Sequence, residues 1–372
     1  GSLPKRKIVA GLGRLTGVGG LITASMILSF YAIVAGWMLG FAASYPLSAA
    51  GMASTGDWLV AFGLPRNLAL MLLFMTLTMA VVLRGVEDGI ERWSRRLMPL
   101  LIATLIALSL YVLTLEGALT GLRAYLLPDF EKVLSGDLLI DALGSAFFSL
   151  SLGVGTMLIY GSYLSDTENV PSVGAQVALV DVGIAVLAGF LILPAMYVAD
   201  ARGVAIFNDA GGLLSEDTLI FTVLPALFDT MESAGTWLAT AFFALMSIAA
   251  LTSSISMLEV PVAYLIERHE LSRRRATLFA GGIIAGFSAL IVLNFGTLFG
   301  LVITISTRYS QPALGILICI FAGWLLQRDT LLRELKKNDA DAELRLFWKI
   351  WPFYVKWLCP VIVGVILAQS AL

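Results

Sequence analysis

The chain has 372 residues, 59% of them hydrophobic and only 13% charged, with a mean hydropathy of +0.90 and a formal net charge of −2. That balance excludes an ordinary water-soluble domain, makes lipid the solvent for most of the chain, and gives no footing for a nucleic-acid partner. One histidine, His269 in a polar run, and two cysteines in apolar stretches, Cys319 and Cys359, argue against a histidine metal centre, a catalytic triad or a disulfide framework.

Apolar runs between polar breaks predict nine membrane spans, near 19–46, 67–85, 97–118, 139–163, 173–199, 233–266, 276–294, 297–326 and 347–371. Each is long enough to cross about 30 Å of hydrocarbon at about 1.5 Å per residue. Basic residues sort the connections. Lys5, Arg6, Lys7 and Arg14 precede the first span, and Arg84, Arg92, Arg95 and Arg96 follow the second. Arg268, Arg273, Arg274 and Arg275 follow the sixth, and Arg328, Arg333, Lys336, Lys337 and Arg345 the eighth. These connections are expected on the cytoplasmic side. The opposite set carries only Arg66, Arg123, Lys132 and Arg202, and holds the longer 200–232 connection, read as an outer cap. No nucleotide-binding loop is present, which argues against transport driven by an ATPase of its own.

Along the chain, Tyr31 could reach a polar ligand with its hydroxyl or be an interfacial-belt tyrosine, and its place near the middle of the first span weighs against the second reading. The fourth span reads Phe147-Phe148-Ser149-Leu150-Ser151-Leu152-Gly153-Val154-Gly155-Thr156, with two hydroxyls and two glycines at mid-membrane. Two readings stand: an unwound turn whose freed backbone groups bind a ligand, or small residues packing helices closely. Asp181 lies well inside the fifth span, where an ionisable group costs about 2.5–3.5 kcal/mol on insertion scales and so calls for a cation, a proton or a basic partner. In the sixth span Ala249, Thr252 and Ser253 share one helical face, so that a carbonyl and two hydroxyls can converge on a hard cation. Hydroxyls bonding back to the preceding turn are the plainer reading of that patch. Glu259, nearer the cytoplasmic end, reads as part of a structural network.

These segments together resemble the neurotransmitter:sodium symporter family. The carrying stretches are Tyr31 with Trp37-Met38-Leu39-Gly40-Phe41, the run Gly85 to Glu91, Phe147 to Gly155, and Ala249 to Ser254, specific in combination and in order. The resemblance implies an all-α polytopic membrane protein of leucine-transporter-like inverted-repeat fold, of the eleven-helix bacterial type, acting as a sodium-coupled symporter of neutral or hydrophobic amino acids and not as an enzyme. It further implies that Tyr31 binds the substrate carboxylate and that Phe148 is the aromatic lid. Ser151, Leu152, Gly153, Val154 and Met257 would face the substrate. Ser149 and Asp181 match one sodium site, and Ala249, Thr252 and Ser253 the other. Gly89 and Pro99 fit a glycine, nine residues, then proline pattern associated with the inner gate. Chloride coupling is not expected beside an acidic Asp181.

Two departures stand out. Nothing matches the family's broken first helix, and five helices run from the broken span to Gln327 where only three precede it, so about nine of eleven helices are expected, the first two missing. The eighth span has Gly300 and Ile303 where acidic outer-gate residues are expected, followed by Arg308, which either pairs with Glu259 or lines the pathway. The expected organisation is one transmembrane domain: the remainder of a first repeat at 1–138, a second repeat at 139–327, then a cytoplasmic linker and final helix at 328–372. The expected home is a bacterial inner membrane, and the sequence sets no oligomeric state. Competing readings are a non-transporting fragment or scaffold, and a proton-coupled permease in which Asp181 carries the proton.

Overall fold

The computed structural model describes residues 3–127, 135–165, 167–207, 219–326, 332–333, 335–336 and 346–369. Lys132, Arg328, Lys337, Arg345 and positions 208–218 of the expected outer cap lie outside the described residues.

Among the described residues, seven helices are long and apolar enough to cross a membrane: Ala10–Ala49, Leu64–Val82, Asp88–Val112, Val170–Ala201, Ser233–His269, Arg273–Leu293 and Phe347–Gln369. The two remaining expected spans are interrupted. The fourth is split into Gly136–Ser149 and Thr156–Ser162. The eighth runs without a break in helicity but alternates α and π geometry: Phe295–Ile303, a π segment Thr304–Ser310, Gln311–Ile320, and a second π segment Phe321–Leu325. Mid-span π turns redirect backbone carbonyls and collect at functional sites. Three shorter helices not expected from the sequence, Ala53–Val60, Ala118–Leu126 and Leu224–Asp229, occupy connections.

The chain divides into two compact units. The first comprises 1–30, 134–181 and 256–372. It is held by approaches that only glycine permits. Gly20 faces Gly155, where an added Cβ would lie 3.2 Å from the Gly155 Cα, and Gly315 receives the ring of Phe147. The second unit comprises 31–133 and 182–255. Its centre is aromatic. Phe41 stacks on Phe243 with centroids 4.8 Å apart, Phe221 lies 5.5 Å from both Phe41 and Trp37, and Phe242 meets Phe243 edge-on at 5.2 Å. Gly36 lets the first span touch the backbone of Leu70 and Met71, a Cβ there falling 2.9 Å from both. Small residues at such crossings take the place of the hydrophobic drive that lipid removes.

Candidate functional site

The broken span sets the chemistry of the first unit. Its first half ends at Ser149; Ser151, Gly153 and Gly155 then adopt φ of 51°, 75° and 89°, and the helix restarts at Thr156. Three left-handed residues in five cannot continue a right-handed helix, and a serine among them carries a strain that glycine escapes. The close-packing reading of these small residues also applies, because Gly153 and Gly155 are pressed against Gln311 and Gly20.

Ser149 and Asp181 meet directly. The serine hydroxyl lies 2.8 and 2.9 Å from the two carboxylate oxygens. The turn itself is held by Gln311, which is 1% exposed and donates its amide to the Leu152 carbonyl at 2.9 Å. Its Oε1 is buried without a hydrogen-bond partner among the described residues. Leu152 and Phe148 remain 40% and 47% exposed, whereas Val154 and Met257 are buried.

Tyr31, Ala249, Thr252 and Ser253 belong to the second unit. The side chain of Tyr31 lies beside that of Ser253. Thr252 donates to the Ala249 carbonyl at 2.9 Å, the local back-bond expected of a threonine in a membrane helix. Ser254, one residue beyond the expected set, is fully buried and shares a 2.8 Å hydrogen bond with Thr78. Both constellations, 149 with 181 and 249 with 252, set neighbouring oxygens of the kind a hard monovalent cation takes, one with a formal charge and one without.

Glu259 is fully buried and neutralised within the first unit. Arg273 grips it through both terminal nitrogens, one at 3.2 Å, and Tyr163 donates to it at 2.6 Å. Beside it Tyr160 donates to Ser256 at 2.7 Å. A pairing of Glu259 with Arg308 is therefore corrected: Arg273, 14 residues on and next to a short turn, reaches it instead. Arg308 lines a cavity of about 430 Å³ with Asp141, Ser145, Phe148, Thr307 and Gln311. Gly89 sits in a π segment, Val86–Glu91, where a Cβ would collide with the Val81 carbonyl, and Pro99 lies inside the helix Arg92–Val112.

Sequence reasoning missed Arg66. Assigned to an outer loop, it is 1% exposed, donates to the Leu59 carbonyl at 2.8 Å and to Asn67 at 3.0 Å, and lies 4.8 Å over the Phe62 ring. Trp37 donates to the same Asn67 oxygen at 3.0 Å. Polar Asn67 beside Arg66 at the start of an apolar run was the available signal.

Comparison with known proteins decides the family. The family described as the sodium:neurotransmitter symporter family matches residues 54–372. The chain belongs to that family. An uncharacterized sodium-dependent transporter of Bacillus subtilis, YhdH, is 33% identical over 95% of this chain and 78% of its own length. One from Haemophilus influenzae is 32% identical over 99% and 81%. The solved structure of MhsT in complex with L-phenylalanine superposes with a TM-score of 0.79 at 32% identity, over 96% of this chain and 81% of that one. The fold is the leucine-transporter-like, all-α polytopic one, and the protein is a multi-pass membrane transporter of a sodium-dependent family.

Proposed function

We propose that this member of the family is a sodium-coupled symporter of neutral, hydrophobic or aromatic amino acids, working by alternating access in a bacterial inner membrane. The observation that carries the reading is the Ser149 hydroxyl against both oxygens of Asp181 at the end of a broken helix. Sodium, the co-transported ion, takes Ser149 and Asp181 as one set of oxygens and Ala249, Thr252 and Ser253 as another. The substrate carboxylate meets Tyr31, its side chain lies against Ser151, Leu152, Gly153, Val154 and Met257, and Phe148 closes over it. Gly89 and Pro99 mark the inner gate. The MhsT structure with L-phenylalanine supports an apolar or aromatic amino acid as the first substrate to try. Ion and substrate are coupled because each raises the other's affinity for the shared state, and a ligand with equal affinity for both states shifts nothing.

Thermal unfolding of the purified full-length protein across the amino acids, with and without sodium, tests the substrate class. At a ligand concentration 100 times Kd the stabilisation is about 2.7 kcal/mol, a shift of several degrees. Hydrophobic and aromatic amino acids are expected to stabilise only when sodium is present. Stabilisation by acidic or basic amino acids alone would contradict the assignment.

A further inference from the structure

Ser254 directly follows the proposed sodium face but points away from it. At about 100° per residue it is turned roughly 140° from Ala249, behind the surface that Ala249, Thr252 and Ser253 share. Phe243, Ser247, Ala250 and Ser254, at three- and four-residue steps, form a stripe buried within the second unit. In that stripe the Ser254 hydroxyl meets the hydroxyl of Thr78, on the helix Leu64–Val82, at 2.8 Å, and both residues are 0% exposed.

The protons of the two hydroxyls decide what this contact does. The Ser254 oxygen lies 2.8 Å from the Leu251 carbonyl, and the Thr78 oxygen lies 3.1 Å from the Phe74 carbonyl. Three approaches share two protons, so one goes without. Hydroxyl-to-oxygen bonds run about 2.5–3.0 Å, and the two shorter distances place the Ser254 proton on Leu251 and the Thr78 proton on the Ser254 oxygen. The Leu251 carbonyl belongs to the peptide that supplies the N–H of Thr252, so a chain of hydrogen bonds from the second span ends on the backbone of the proposed sodium face. Apolar packing is non-directional and leaves a helix free to turn about its axis. A hydrogen bond between buried hydroxyls is directional and resists that rotation.

We infer that Thr78 is a positioning residue for the sodium site: through Ser254 it fixes the rotation of the sixth span, so that the Ala249 carbonyl and the Thr252 and Ser253 hydroxyls stay turned toward one ion. The inference rests on the proposed reading of that face as a sodium site. It adds a residue of the second span that acts from behind the face without touching the ion.

The test is binding of radioactive sodium to the purified full-length protein, with unfolding temperatures in potassium measured alongside. Thr78→Val keeps the shape of the side chain and deletes its hydroxyl. It is expected to raise the sodium concentration for half-saturation about threefold to tenfold, the range that one hydrogen bond between neutral groups supplies. Thr78→Ser should restore the unaltered value, and Ser254→Ala should shift it at least as far as Thr78→Val. The double variant should bind no more weakly than Ser254→Ala alone, because both changes break one chain of hydrogen bonds. Should Thr78→Val not fold, Ser254→Ala supplies the same comparison. Thr252→Ala, within the face itself, is the reference. If Thr252→Ala weakens sodium binding while Thr78→Val and Ser254→Ala only lower the unfolding temperature in potassium, Thr78 is a packing residue and the inference is overturned with the sodium face intact. If Thr252→Ala leaves sodium binding unchanged, the sodium face falls and the inference with it.

Discussion

Replacing Asp181 by alanine is expected to abolish sodium-dependent uptake, whereas Asp181→Asn should retain transport at a sodium requirement raised by one to two orders of magnitude. The carboxylate lies in a span with two apolar neighbours on its N-terminal side, Leu179 and Val180, and its polar contact is the Ser149 hydroxyl at 2.8 and 2.9 Å. If a cation takes the place of that hydrogen bond, the hydroxyl keeping its proton, it gains a formal charge from Asp181 and a neutral oxygen from Ser149. An amide keeps an oxygen in position but gives up the charge. At 4 Å and an effective dielectric near 20 a pair of unit charges is worth about 4 kcal/mol, part of which is offset by desolvation, leaving roughly 1.4–3 kcal/mol and hence the factor of about 10 to 100. Ser149→Ala should move the sodium requirement in the same direction by less. The measurement is initial uptake rate against sodium concentration. A proton carrier at Asp181 gives a different pattern, because an asparagine cannot titrate: Asp181→Asn would then be as inactive as Asp181→Ala at every sodium concentration.

The second large effect is expected at Gly153. Its φ of 75° and its contact with the Gln311 carbonyl leave no room for a Cβ. Alanine there costs about 1–2 kcal/mol for the left-handed backbone, to which the collision adds a displacement of the turn from Gln311. Gly153→Ala should therefore lose transport nearly completely and unfold several degrees lower. Gly183→Ala is the matched control, a glycine in the neighbouring fifth span with open space around its Cα, and is expected to transport normally and to be as stable or slightly more so. Gln311→Ala, which frees the Leu152 carbonyl while leaving the backbone contact, should fall between them. Comparable losses in Gly153→Ala and Gly183→Ala would mean that general helix packing, and not the turn, sets the behaviour.

Much of the fold could be read from hydropathy because the bilayer imposes one length scale on every span, and all nine expected segments carry helix. The broken turn was legible because two serines and two glycines in the middle of an apolar run are compatible with few other arrangements, and Asp181 because a carboxylate in that setting demands a partner. Other features depend on distance through space. The sequence offered Arg308 as a partner for Glu259, both being intramembrane charges of opposite sign; the partner is Arg273, which a basic loop had made look like a topology signal alone. Arg66 was read as an outer-loop charge, since a buried guanidinium held by Leu59, Asn67 and the Phe62 ring leaves no spacing pattern. The role of Gln311 as the clamp on Leu152, 159 residues earlier, was equally invisible. The back-bond of Thr252 to Ala249 is the plainer reading of that face, and it joins the same two oxygens that are proposed to meet a cation.

Uptake of a labelled hydrophobic amino acid into proteoliposomes bearing the full-length protein, with sodium replaced by potassium at a constant proton gradient, bears most directly on the coupling of sodium to substrate. The oxygens at Ser149, Asp181 and the 249–253 face predict accumulation above the external concentration in sodium and only equilibration, or none, in potassium. Equal accumulation in the two salts would contradict sodium binding at these residues as the source of coupling.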